Sequence, residues 1–280
     1  MDTPGAKEEA DPGLTGWENP AQRLRDALAH EHFRLFGQPI VALAPPGAVE
    51  FAEVLVRLSE EEERLLPPGE FLPAFEHYDM MAEFDRWVLR SALRRLETGG
   101  ALRRLSLNVS SRTLEEPGFV PFVAVQLRLS GVDPAALVFE LDENDVLERR
   151  SACERFAAGM KQLGCTVLLD GFARRAVSFE PLKALLADYV KVDGTIVRRA
   201  ADWPAAQAKL KAFVRVGEVT GVRVIAECVE DERVRATLAA LGVPLAQGFG
   251  IARPAPLDAL FGLDPSAGTA ARRTPPRAGS

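Results

Sequence analysis

Eight short apolar runs recur along the chain, and the first two are separated by too little sequence to be joined through a helix. The runs are QPIVAL, FAEVLVRL, SLNVS, LVFELDE, TVLLD, YVKVD, RVIAECV and AQGFGI. Each is solidly apolar or alternates with period two, as strands buried on one or both faces do. From the second run onward the gaps mostly hold helix-like stretches: FDRWVLRSALRRLE, FVPFVAVQLRL, ACERFAAGMKQLG, AKLKAFVRVGEVTG and DERVRATLAALG. Strand and helix alternating this often predict an α/β architecture, and eight strands predict a closed TIM-like (β/α)8 barrel. Between QPIVAL and FAEVLVRL stand only the seven residues APPGAVE, whereas a parallel crossover needs a dozen or more. The first two strands are therefore expected to form a hairpin, which leaves the barrel with an antiparallel first strand.

The folded part is expected to be one barrel domain over residues 21–264, between tails at 1–20 and 265–280 that are rich in Pro, Gly, Ala and charge and read as disordered. No run approaches the roughly 20 apolar residues of a membrane span. The N-terminus lacks the basic-then-apolar layout of a signal peptide, so the expectation is a cytoplasmic chain with no membrane partner. A net charge of -6 gives no reason to expect a nucleic-acid polymer as partner. Cys153, Cys165 and Cys228 are far apart and read as reduced core thiols. The acidic run at 60–63 reads as a solvated loop.

In a parallel barrel, function gathers at the C-terminal ends of the strands. There this sequence places Asn108, Glu140, Asp142, Glu143, Asp170, Lys191, Asp193, Glu227, Glu230 and Gln247, and in the second hairpin strand Glu53 and Arg57 alternate onto one side. A single acid at a strand end is more often a helix cap or a surface ion pair. Acids or amides on six strand ends together make a hard oxygen-ligand site, suited to magnesium, manganese or calcium and not to zinc or copper. His30 and His32, on a predicted N-terminal helix, and His77 read as surface or structural residues. Carboxylates, a hard cation and the interior Lys191 together point to phosphate ester chemistry.

From about Phe33 to Leu260 the motifs QPIV, AEVLVR, PPGEFLPAFE, FDRWVL, LNVS, FELDE, LLDGF, VKVD, IAECVE and AQGFGIARP follow in an order that resembles the EAL domain, the bacterial module that binds and hydrolyses cyclic di-GMP. The resemblance implies a TIM-like barrel with an antiparallel first strand. It also implies that Glu53, Asn108, Glu140 and Asp170 bind a first Mg2+ or Mn2+, and that Arg57 holds a phosphate of the dinucleotide. Lys191 and Glu227 would orient and help activate the attacking water, with Gln247 nearby and Asp193 supporting the lysine, while Gln38, Asp85 and Phe249 would line the nucleotide pocket. In active members two metal ions grip one phosphate and open the ring to linear pGpG.

The resemblance breaks at residues 170–175. Where the family has DDFGTG this chain has DGFARR, so the second metal's acid is Gly171, and Glu143, the anchor of that loop, faces an altered partner. Two compensations stay open: Asp142, where the family usually has Thr, could supply the missing carboxylate, or Arg174 or Arg175 could lay a guanidinium over the phosphates. Three functions follow from the resemblance. The favoured one is a cyclic di-GMP receptor with weak or no hydrolysis, since loss of one metal ligand costs powers of ten in rate. The second is a working metal-dependent phosphodiesterase, and the third a nucleotide-independent protein-interaction module. No sensor or cyclase-like domain is evident, so the output is expected to pass through an unknown downstream protein or the dinucleotide pool, with a homodimer as the family's usual assembly.

Overall fold

Ten strands join in one sheet that closes on itself. The computed structural model describes residues 19–30, 32–59, 65–174 and 177–262. The acidic run at 60–63, Arg175, and residues 1–18 and 265–280 of the two tails lie outside these residues.

The strands are β1 (Phe33–Leu43), β2 (Pro46–Ser59), β3 (Leu65–Leu66), β4 (Leu105–Asn108), β5 (Leu137–Asp142), β6 (Thr166–Phe172), β7 (Tyr189–Val192), β8 (Arg223–Ala226), β9 (Leu245–Ala246) and β10 (Ala255–Pro256). β2 and β4 through β9 run parallel in sequence order, and β1 closes the barrel by pairing antiparallel with β2 on one side and β9 on the other. The hairpin forced by the seven-residue connection is therefore also the seam. β3 and β10 add two residues each to the flanks of β2 and β1.

The expected helices form over Met81–Glu97, Phe119–Ser130, Arg150–Gln162, Pro204–Thr220 and Glu232–Ala240 and cover the outside of the sheet. Five runs are trimmed relative to their patterns: LVFELDE ends at Asp142 and YVKVD at Val192, each one residue short, while SLNVS ends at Asn108, RVIAECV at Ala226, and AQGFGI is a strand only to Ala246. After Ala246 the chain folds against the segment following β8, where a Cβ on Gly248 would lie 2.2 Å from the Val229 backbone. The first described helix begins at Pro20 and ends at Ala29, so His30 caps it and His32 stands beyond it, both exposed. His77 closes the helix Pro68–His77 and is also exposed.

Both faces of the sheet are buried, which is why the strands read as apolar runs. Outward residues such as Leu105, Leu107, Phe139, Leu169, Val190 and Ala246 join the large core under the helices. Inward residues form a second, smaller core: Ile40, Phe51, Val138, Leu168, Tyr189, Ile225 and Leu245, with Ser106 completing the ring from β4. Below that layer, Glu50 accepts hydrogen bonds from Tyr189 Oη (2.6 Å) and Arg104 Nη1 (3.1 Å) and pairs with Arg223, closing the floor.

Candidate functional site

Side chains on a strand return to the same face every two residues. One step from the inward apolar layer toward the barrel mouth, each of the eight barrel strands, or the residue directly after it, presents a polar group: Gln38, Glu53, Asn108, Glu140, Asp170, Lys191, Glu227 and Gln247, the residues Glu227 and Gln247 standing just past β8 and β9. The dry layer beneath keeps water from reaching this polar ring from below.

Lys191, 2% exposed, is the centre of the ring. Its ammonium donates to Glu140 Oε2 at 2.5 Å and Glu53 Oε2 at 2.9 Å, and Asp170 Oδ1 lies 3.8 Å away. Gln247 Nε2 donates to Glu53 Oε2 (2.8 Å) and Gln38 Oε1 (3.3 Å), and Asn108 Nδ2 donates to Glu53 Oε1 (3.0 Å). Glu227 Oε1 accepts from the Gly194 amide at 2.7 Å. Three carboxylates, of Glu53, Glu140 and Asp170, thus surround one cation. Burial, reinforced by the charge of Glu53, pushes Glu140 up to about 8. Burial and the charge of Asp170 bring Glu227 up to about 7. Burial also raises Asp170, whereas at Glu53 the charge of Lys191 and three hydrogen bonds outweigh burial and hold the carboxyl below its usual range. Burial alone would discharge Lys191, but the surrounding carboxylates keep its ammonium well above the ordinary lysine range.

This charge balance suits a cation. Glu140 Oε1 and Asp170 Oδ1 are buried without a hydrogen-bond partner, and with Glu53 and the Asn108 amide oxygen they offer an all-oxygen donor set of the kind hard divalent ions take. Among the described residues no three His, Cys, Asp or Glu already form a coordinating cluster, since Lys191 sets the present spacing of the acids. The residues fit one hard cation.

Gly171 offers no side-chain donor for a further cation. The ladder between β6 and β7 jumps from Leu169 to Phe172, and Gly171 takes φ +69° at that irregularity. Both Asp142 oxygens are engaged: Oδ1 caps the helix Glu143–Glu148 through Asn144 N (2.8 Å), and Oδ2 accepts from Arg174 Nη1 (2.9 Å). The Arg174 Nε donates to Asp193 Oδ2 at 2.9 Å, and Asp193 Oδ1 caps the following helix through Thr195 N. Glu143 Oε1 accepts from Ala173 N of the altered loop at 3.0 Å.

The remaining expected residues lie around the rim. Arg57 follows Glu53 by two steps on the same side of β2, with its guanidinium 5.6 Å from the Phe36 ring centre. A cavity of about 240 Å3 opens beside the ring, lined by Gln38, Glu53, Glu227, Cys228, Gln247 and Phe249. Phe249 is 58% exposed and lies under the Arg253 guanidinium. Glu230 is an exposed partner of Arg198, and both also line this cavity. One residue stands apart: Asp85 is buried on the outer helix Met81–Glu97, where Ser110 N and Oγ donate to it and brace the chain just after β4. Cys228, read from the sequence as a core thiol, instead lines the cavity at φ +55°; its place directly after Glu227 was the available signal. A larger hollow of about 790 Å3 on the outer flank, between β1 and the helix Met81–Glu97, contains none of the ring.

The model of the EAL domain family matches residues 21–254. The chain belongs to the EAL domain family. Among curated relatives, this EAL domain is 31% identical over 240 residues to the cyclic di-GMP phosphodiesterase PdeB of Shewanella oneidensis, covering 85% of this chain and 28% of that protein. It is 28% identical over 247 residues to the cyclic di-GMP phosphodiesterase PdeF of Escherichia coli, covering 87% of this chain and 33% of that one. The chain thus spans about a third of the length of these relatives. Among solved structures it superposes on the FimX EAL domain of Pseudomonas aeruginosa bound to c-di-GMP with TM-score 0.76 and 28% identity, covering 85% of this chain and 97% of that one. The PaMucR phosphodiesterase in complex with c-di-GMP gives TM-score 0.78 at 28% identity, with 87% and 100% covered. Among the described residues no helix is long and apolar enough to cross a membrane.

Proposed function

We propose that this EAL domain binds cyclic di-GMP at the barrel mouth and acts as a receptor with weak or no hydrolysis. The observation that carries this reading is a complete polar ring, one group on or directly after each of the eight barrel strands, beside a residue 171 that has no carboxylate. In this reading Glu53, Asn108, Glu140 and Asp170 hold one Mg2+ or Mn2+, which would polarise a phosphate and make a nearby water more acidic. Arg57 binds a phosphate from the rim, and Gln38 and Phe249 line the space for the nucleotide, with Phe249 offering an exposed ring face. Asp85 contributes indirectly by bracing the loop behind Asn108.

A second reading, a metal-dependent cyclic di-GMP phosphodiesterase, is favoured by one specific feature. Glu227 has a carboxyl raised to about 7 and lines the cavity, as a proton acceptor working near neutral pH would. Lys191 would then orient the attacking water, with Gln247 nearby and Asp193 supporting that strand end.

Incubation of the purified chain with cyclic di-GMP in Mg2+ and then Mn2+, following bound ligand and linear pGpG in the same samples, separates the two. The receptor reading expects saturable binding with little or no product; steady turnover establishes the phosphodiesterase, and absence of binding in both metals overturns both readings.

A further inference from the structure

We propose that Arg174 is a built-in cation at the place of a second metal ion, so that this domain takes one divalent ion and grips a phosphodiester with that ion and a guanidinium together. The proposal rests on the mouth being the dinucleotide site.

Arg174 sits one layer above the polar ring. Asp142 follows Glu140 by two residues on β5, and Asp193 follows Lys191 by two residues at the end of β7, so both acids rise from the ring toward solvent. Arg174 bridges them across the end of β6, with Nη1 2.9 Å from Asp142 Oδ2 and Nε 2.9 Å from Asp193 Oδ2. A turn closed by Arg174 N donating to the Gly171 carbonyl (3.1 Å) folds the side chain back over Gly171. A Cβ at position 171 would meet Arg174 Nη2 at 2.5 Å and Cζ at 2.7 Å. The guanidinium therefore occupies the space where a side chain at 171 would begin.

The two features depend on each other. Glycine at 171 leaves room for the guanidinium, and Asp142 and Asp193 supply the anionic walls that hold it. Two of its nitrogens are committed to those walls, whereas Nη2 makes no hydrogen bond among the described residues and can donate to a phosphate oxygen. With 38% of its side chain exposed, Arg174 is open to solvent above the ring. A fixed guanidinium offers planar donors suited to phosphate but cannot acidify a water as a metal ion does, so the arrangement keeps binding and weakens hydrolysis.

The test counts Mn2+ per chain by calorimetry and by the loss of free-ion EPR signal, and measures cyclic di-GMP affinity with Mn2+ present. The natural chain is expected to bind one Mn2+, and a Gly171→Asp/Arg174→Thr double variant two. Arg174→Gln is expected to weaken cyclic di-GMP binding by about ten- to a hundredfold, the effect of losing a charged hydrogen bond, with Arg174→Lys recovering part. Two Mn2+ in the natural chain, or a folded Arg174→Gln variant of unchanged affinity, overturns the proposal. Should the natural chain not bind cyclic di-GMP at all, the receptor reading fails, while the change from one Mn2+ to two in the double variant still decides the role of Arg174. The same count decides it should Arg174→Gln not fold.

Discussion

The ammonium of Lys191 lies 2.5 Å from Glu140 Oε2 in a setting where both side chains are almost fully buried. Removing one partner of such a pair leaves the other as an uncompensated buried charge. Lys191→Met is therefore expected to destabilise the metal-free domain by about 3–5 kcal/mol at pH 8.5. Urea denaturation checks this, with a smaller loss expected at pH 5.5, where the acids take up protons, and partial recovery in Mn2+.

The raised acids set a pH dependence. With folded values of about 8 for Glu140 and about 7 for Glu227, the folded state holds protons that the unfolded chain releases above about 4.5. Their contribution is fully present below the unfolded value and is lost as pH rises through the folded ones. Glu53 and Asp193 are shifted down, so their contribution runs the other way and disappears only in acid. In a chelator, Tm is expected to fall by several degrees between pH 6 and pH 9, and Mg2+ is expected to flatten the slope. A Tm that rises over this interval in chelator would show that the acids are not buried as described.

At the opposite end of the barrel, burial raises the Glu50 carboxyl, but hydrogen bonds from Tyr189 and Arg223 and the nearby guanidinium charges outweigh it and hold the group below its usual range. Glu50→Ala leaves two arginines and a tyrosine hydroxyl without their shared acceptor. Because the floor is partly wet, the expected cost is about 1–3 kcal/mol. The floor and the mouth are separated by the apolar layer, so cyclic di-GMP affinity is expected to stay within about twofold at temperatures where the variant is folded; titration calorimetry checks it.

Burial pushes both Cys153 and Cys165 up to about 12, so neither presents a thiolate near neutral pH. Native alkylation with iodoacetamide at pH 8, mapped by mass spectrometry, is expected to spare both and to reach only Cys228, which is partly exposed and lines the mouth cavity. Rapid labelling of Cys153 would mean that the helix Arg150–Gln162 opens readily from the barrel.

The barrel was legible because strand and helix periodicities alternate so regularly, and the seam because APPGAVE is too short to span a crossover. The strand ends were less legible. AQGFGI carries strand-like residues, yet it leaves the sheet after Ala246 because its glycines must pass within van der Waals contact of the Val229 and Glu230 backbones. Asp85 and Cys228 show the same limit from opposite directions, one lying outside the mouth and the other inside it.

By itself the sequence determined which side chains could share a face, since period two along each strand is a property of the backbone, and it revealed that position 171 has no acid. Tertiary structure alone decided how these groups are spent. Lys191 sits among three carboxylates, Asp142 is divided between a helix cap and an arginine, and Arg174 folds back over Gly171 to join two strands. Closure of the barrel brings residues more than a hundred positions apart within hydrogen-bond reach, and no local pattern encodes the angle at which a side chain returns from a turn.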